Sequence, residues 1–136
     1  MEDLQQKKVI IEATALTRKF GSTRAVDQVT LSISAGEVLC VIGENGAGKS
    51  TLLYLLGGLI LPNSGHVKVF GLDRWKDGFE IRKRSTFLPD TPVVGECRTP
   101  FEYLALVAEI YGMVKKVYLP KIEQLSGEMN LIPHLA

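Results

Sequence analysis

Residues 43–50, Gly43-Glu44-Asn45-Gly46-Ala47-Gly48-Lys49-Ser50, fit the pattern G-x-x-x-x-G-K-[ST]. Those residue types at that spacing suit one chemistry, the gathering of phosphate oxygens. Glycines let the backbone fold tightly enough that several N–H groups converge on one anion. A helix starting where the pattern ends adds the positive end of its dipole to the same point. Lys49 offers a mobile ammonium for the β- and γ-phosphates, and the Ser50 hydroxyl an oxygen for a Mg²⁺ bound to them. Thr51 continues the segment into the helix. The bland reading is a glycine-rich turn. Its setting argues against that: an apolar run precedes the glycines and an apolar helical stretch follows, which is what a phosphate loop requires.

Such a loop needs elements to hold it. "KKVIIEATALTRKF" carries Val9, Ile10, Ile11 and Leu16 among polar residues and reads as a strand, followed by a turn at "GSTR". "AVDQVTLSIS" alternates Val29, Leu31 and Ile33 with Gln28, Thr30 and Ser32, the period of a half-buried strand. After a turn at "AGE", "EVLCVIG" is continuously apolar, as expected of a strand buried on both faces, with Cys40 as a small core residue. The sequence thus predicts a small antiparallel sheet packed on a parallel core. "KSTLLYLLGGLI" reads as a buried helix, "LPNSG" as a turn and "HVKVFG" as a short strand. "LDRWKDGFEIRKRS" reads as a loop with a short exposed helix, and "STFLP" as a brief strand ending at Pro89. In "RTPFEYLALVAEIYG", Thr99 caps a helix, Pro100 opens it and Glu102 completes a capping box. Leu104, Val107, Ala108 and Tyr111 make its core stripe, and Gly112 stops it. The tail allows one more helix, Pro120 to Met129, with Ile122, Leu125 and Met129 on one side.

Composition narrows the field without choosing within it. The 136 residues fit one domain; 46% are hydrophobic and 23% charged, and the net charge is +1. Bulk charge does not argue for nucleic acid, and Arg82-Lys83-Arg84 reads as a solvated face. Cys40 and Cys97 have no metal-ligand spacing, and a reducing cytosol suits them. No apolar run approaches the ~18 residues that cross a bilayer, and the N-terminus lacks the layout of a secretion signal.

The loop pattern is shared by many nucleotide-binding proteins; neighbouring residues discriminate among them. "GENGAGKSTLL" with "LILPNSGHVKVFG" closely resembles the ATP-binding subunit of ABC transporters. "ALTRKFGSTRAVDQVTLSISAGE" resembles the same family's opening, and "RSTFLPDTPVV" followed by "TPFEYLALVAEIYG" the approach to its helical subdomain. The wording is nearest to bacterial drug-efflux (ABC-2 type) exporters. The resemblance implies an α/β fold, a P-loop core with an N-terminal antiparallel β subdomain and the start of a helical subdomain. On that reading residues 9–42 are strands, 43–58 loop and helix, 65–90 the run to a Q-loop-like segment, and 99–136 the opening of the helical part of a single domain. Phe20 falls where the family stacks an aromatic on adenine, with Val26 beside it; the alternative for Phe20 is a strand-end core aromatic. Asp90 falls where the family has the Q-loop glutamine, which senses Mg²⁺ and the attacking water and touches the membrane subunit. A carboxylate there can still ligate Mg²⁺ but, ionised, cannot donate a hydrogen bond; the other reading is a solvated loop carboxylate between Pro89 and Pro92.

The family hydrolyses ATP with further motifs: an L-S-G-G-Q signature, an apolar strand ending in Asp-Glu and a switch histidine. "LSGEM" at Leu125 to Met129 is not the signature, because "NLIPHLA" follows and Pro133 breaks the basic helix required there. Ser126 is therefore not expected to meet a γ-phosphate. Glu123 and Glu128 read as helix-surface charges, and neither His66 nor His134 stands in a switch context. The expectation is an N-terminal part of an ABC ATPase that binds ATP with Mg²⁺ and does not hydrolyse it alone, with apolar strand edges left exposed and poor stability by itself. The resemblance further implies a cytoplasmic protein peripheral on the inner membrane face. It would dimerise in full-length form and drive export through membrane-spanning subunits, with no nucleic-acid partner. A non-hydrolysing nucleotide-binding fragment and a soluble ABC protein are the other readings.

Overall fold

The computed structural model describes residues 8–90 and 99–135. Pro92, Cys97 and the N-terminal residues 1–7 lie outside the described residues. The chain divides into two compact units, Met1–Phe87 and Leu88–Ala136.

The first unit is built on an antiparallel sheet of order β2-β1-β3-β4, comprising β1 (Val9–Phe20), β2 (Thr23–Ser34), β3 (Ser64–Val69) and β4 (Leu72–Asp73). The β1–β2 hairpin runs from the pair Val9 and Ser34 to the pair Phe20 and Thr23, so its turn is only Gly21-Ser22. Register shifts interrupt that ladder near Ala15 and Gln28, both at positive φ (47° and 48°). Side-chain oxygens serve the displaced backbone there: Ala15 N–H donates to Thr30 Oγ1 at 2.9 Å and Gln28 N–H to Thr17 Oγ1 at 3.0 Å. Helix α1 (Lys49–Gly57) sends Leu55 and Leu56 into a core with Ala13, Leu16, Val26, Val67, Val69 and Ile81. Ile81 comes from α2 (Gly78–Arg82), whose other side is solvated as expected.

The Gly57-Gly58 pair ends α1. Gly58 is left-handed (φ 71°); its N–H bonds Leu55 O and the next amide, of Leu59, bonds Tyr54 O. Across that end lies Arg74, 7% exposed. Its Nε donates to Leu56 O at 3.2 Å and its Nη2 to Gly57 O. A cation at the negative end of the helix is the favourable sign. Burial first, then the neighbouring Arg82, push the guanidinium below its ordinary pKa.

Two expected strands are absent. Residues 37–43 join no ladder among the described residues, and only Val41 is half-buried. Leu39 and Val41 line an apolar cavity of about 210 Å³ with Leu53, Leu56, Ile81 and Phe87. Val38 and Ile42 point outward, 94% and 90% exposed, and Cys40 is exposed, not a core residue. The "STFLP" stretch likewise forms no strand, and Leu88 is 82% exposed. A parallel strand needs hydrogen-bonding neighbours, and among the described residues neither segment has one. No parallel core therefore forms in this sheet.

The second unit is a helical hairpin, α3 (Pro100–Ile110) and α4 (Lys115–Glu128), followed by a short 3₁₀ turn at Ile132–His134. Thr99 caps α3 as expected, its side chain accepting from Glu102 N–H at 3.1 Å. Ala108 is buried and Val107 half-buried, whereas Leu104 and Tyr111 are exposed at the mouth of the groove between the helices. Helix α4 begins five residues before Pro120 and contains it. Its buried stripe is Tyr118, Ile122 and Ser126, at spacing i, i+4, i+8, while Leu125 and Met129 are exposed. The earlier start follows from Tyr118, whose ring is buried and whose Oη donates to Glu109 Oε1 of α3 at 2.8 Å.

Candidate phosphate-binding site

The loop from Gly43 to Gly48 curls into the N-terminus of α1. Ala47 N–H turns back to Glu44 O at 3.2 Å, and the first helical bond runs from Leu52 N–H to Gly48 O at 2.9 Å. Gly48 is the N-cap, left-handed at φ 87°, and brings no side chain to the helix end. The amides of Lys49, Ser50 and Thr51 therefore have no side-chain cap and precede the first intrahelical bond, an arrangement that presents donors to an anion. No residue but glycine fits at 48: a Cβ would lie 2.0 Å from the carbonyl oxygen of Ala25 in β2. That contact seats the loop on the sheet, and the neighbouring Val26 is buried in the core.

Lys49 folds back over the loop. Its Nζ donates to Gly43 O at 2.9 Å and to Glu44 O at 2.7 Å, closing the curl on itself. An ammonium carries three donors, so one remains for a ligand before either loop carbonyl is released. Ser50 is exposed in the first turn of α1, and Asn45, Gly46 and Ala47 are exposed along the loop.

Phe20 ends β1 at the hairpin turn and is 49% exposed. It is thus a surface aromatic and not a core one. The guanidinium of Arg18 lies over the ring, its Cζ 4.6 Å from the centroid. Arg18 Nη1 donates to Leu61 O at 2.9 Å, and Lys19 N–H to Asn63 Oδ1 at 2.7 Å, so the strand end is tied to the loop after α1. Sequence reasoning did not single out Arg18; its place two residues before Phe20, on the same side of a strand, was the available signal.

Gly43 to Thr51, Val26 and Phe20 all belong to the first unit, where Gly48 lies against Ala25, next to Val26 in β2. Asp90 belongs to the second unit and is exposed. Ser126 is buried in α4. No cluster of three or more His, Cys, Asp or Glu suited to a metal ion occurs among the described residues.

The family model described as ABC transporter matches residues 26–128. The chain is 34% identical over 118 residues to the bacitracin transport ATP-binding protein BcrA of Bacillus licheniformis, an alignment covering 87% of this chain and 39% of that protein. It is 32% identical over 120 residues to the methionine import ATP-binding protein MetN of Rhizobium johnstonii, covering 85% of this chain and 33% of the relative. A solved structure of the ATP-binding subunit of an ABC transporter superimposes with a TM-score of 0.78 at 30% identity, over 93% of this chain and 52% of that one. The chain belongs to the ABC transporter family. Its fold is that of the family's ATP-binding subunit, and it spans about half or less of the length of these proteins.

Proposed function

We propose that this chain is the N-terminal part of a single nucleotide-binding domain, residues 1–136, that binds ATP as the energy-coupling subunit of an ABC transporter. The observation that carries this is the curled, uncapped loop closed by Lys49 over Gly43 O and Glu44 O. In this reading the amides from Gly43 to Thr51 hold the α-, β- and γ-phosphates. The Lys49 ammonium exchanges a loop carbonyl for phosphate oxygen, and the adenine stacks on Phe20 beside Val26. The residues also fit a hydrated Mg²⁺: Ser50 is an exposed hydroxyl in the first helical turn, where a phosphate-bound cation is reached. The cation would offset the phosphate charge.

Hydrolysis is assigned to the longer protein, because orienting the attacking water takes a positioned carboxylate, and no apolar run after Gly112 ends in two acids. The chain alone binds without hydrolysing. The whole protein would work as a dimer on the cytoplasmic face, acting on membrane-spanning subunits. No described helix is long and apolar enough to cross a membrane. Export is the direction favoured by the exporter-like wording of the sequence; the likeness to an import-named protein means that direction needs its own test, by vesicle flux with the membrane subunits present.

The direct test is calorimetric titration with MgATP. Lys49→Ala should weaken binding by about 100-fold, the loss of charge-assisted hydrogen bonds to phosphate. Unchanged affinity in a folded Lys49→Ala variant would overturn the assignment.

A further inference from the structure

We propose that Arg18 is a positioning residue for the nucleobase platform, clamping one face of Phe20 so that a base can stack only on the other. The inference rests on the assignment of Phe20 to the nucleobase made above. Four observations lead to it. The guanidinium Cζ lies 4.6 Å from the ring centroid. Arg18 is itself held, by Nη1 to Leu61 O at 2.9 Å. Its Nε is buried and makes no hydrogen bond, so the group's place is set by the ring and by Leu61 O. Phe20 remains 49% exposed with Arg18 over its ring, so the residue keeps surface that a planar ligand can reach.

An exposed aromatic at a hairpin tip is a poor platform if its ring can swing. Each stacking event then costs the entropy of fixing it. A guanidinium held against one face removes that freedom beforehand. It also draws π density toward the cation, leaving the outer face better matched to an electron-rich purine. Lys19 N–H on Asn63 Oδ1, at 2.7 Å, fixes the backbone between the two side chains to the same loop. The device acts on the base and not on the phosphates, which lie with the amides of Gly43 to Thr51.

That separation supplies the test. Affinities for MgATP and for Mg-tripolyphosphate, which has no base, are measured on the full chain for Arg18→Gln, Arg18→Lys and Phe20→Ala. Arg18→Gln keeps a planar donor for Leu61 O and removes the charge. It should weaken MgATP by about three- to tenfold and leave tripolyphosphate unchanged, with Arg18→Lys recovering part of the loss by restoring a cation. Equal loss for both probes would show a merely structural prop and overturn the proposal. So would wild-type MgATP affinity in Arg18→Gln while Phe20→Ala is weakened, since the ring then works without its clamp. If Phe20→Ala binds MgATP normally, the Phe20 assignment itself fails and the clamp fails with it, an outcome distinguishable because the defect is then missing from Phe20→Ala.

Discussion

At the scale of single residues, the loop turns on two positions that fail for different reasons when changed. Gly48 must be glycine because φ is 87° and because a Cβ would meet Ala25 O at 2.0 Å. The second constraint is backbone against backbone, so it has no side-chain relief. Gly48→Ala should lose about 2 kcal/mol or more of stability in a urea melt and abolish MgATP binding together. Lys49→Ala, by contrast, should leave the melt nearly unchanged while binding collapses, because its bonds to Gly43 O and Glu44 O are exposed. On the proposed stacking, Phe20→Ala should lose about 1–3 kcal/mol of nucleotide affinity, by comparison with base–aromatic contacts elsewhere. The loop was legible from eight residues because its pattern states a backbone requirement directly. The contact of Gly48 with Ala25 was not, since nothing local in the sequence says which strand lies beneath.

At the scale of elements, what could be read was periodicity, and what could not was pairing. Alternation in "AVDQVTLSIS" and the Thr99–Glu102 cap were sufficient to place β2 and the start of α3, because both depend on residues a few positions apart. The apolar run 37–43 misled, since hydrophobicity reports that a segment favours burial and not that a neighbour is present to hydrogen-bond it. Helix α4 starts at Lys115, before the expected Pro120, and the Tyr118–Glu109 bond that fixes the earlier turn joins two helices, which local spacing does not show. That bond, with burial and the carboxylate's charge, raises the Tyr118 phenol above its ordinary value. Folding favours the neutral phenol, so its contribution is whole below the unfolded value, about 10, and is lost as pH rises through the folded one. Stability of the wild-type chain should therefore fall across the alkaline range more steeply than that of Tyr118→Phe; parallel profiles in urea melts would refute this. In the first unit, Arg74→Met removes a buried charge but leaves Leu56 O and Gly57 O short of donors. Unpaired buried carbonyls outweigh the regained desolvation here because the helix end favoured the cation, and a loss of about 2 kcal/mol is expected in the same melt.

For the whole molecule, the deciding fact is how much apolar surface the chain leaves in water. Val38, Ile42 and Leu88 are 94%, 90% and 82% exposed, and the first two lie in residues 37–43, which pair with no strand among the described residues. Such a segment offers both unpaired backbone groups and side chains whose burial is worth about 1.5–3 kcal/mol each. Backbone outside any ladder that carries outward-facing β-branched residues can pair with a complementary edge, and between identical chains that edge is its own copy. The 136-residue chain should accordingly bind an apolar dye and sediment as a concentration-dependent mixture of species. Val38→Thr combined with Ile42→Thr keeps β-branching and removes apolar area. It should lower dye binding and self-association without altering the far-ultraviolet circular dichroism, because neither side chain supports the core of Leu16, Leu55, Val67 and Ile81. A monodisperse, dye-silent wild-type chain would show that these residues find cover within one molecule, and residues 37–43 would then not be an open surface.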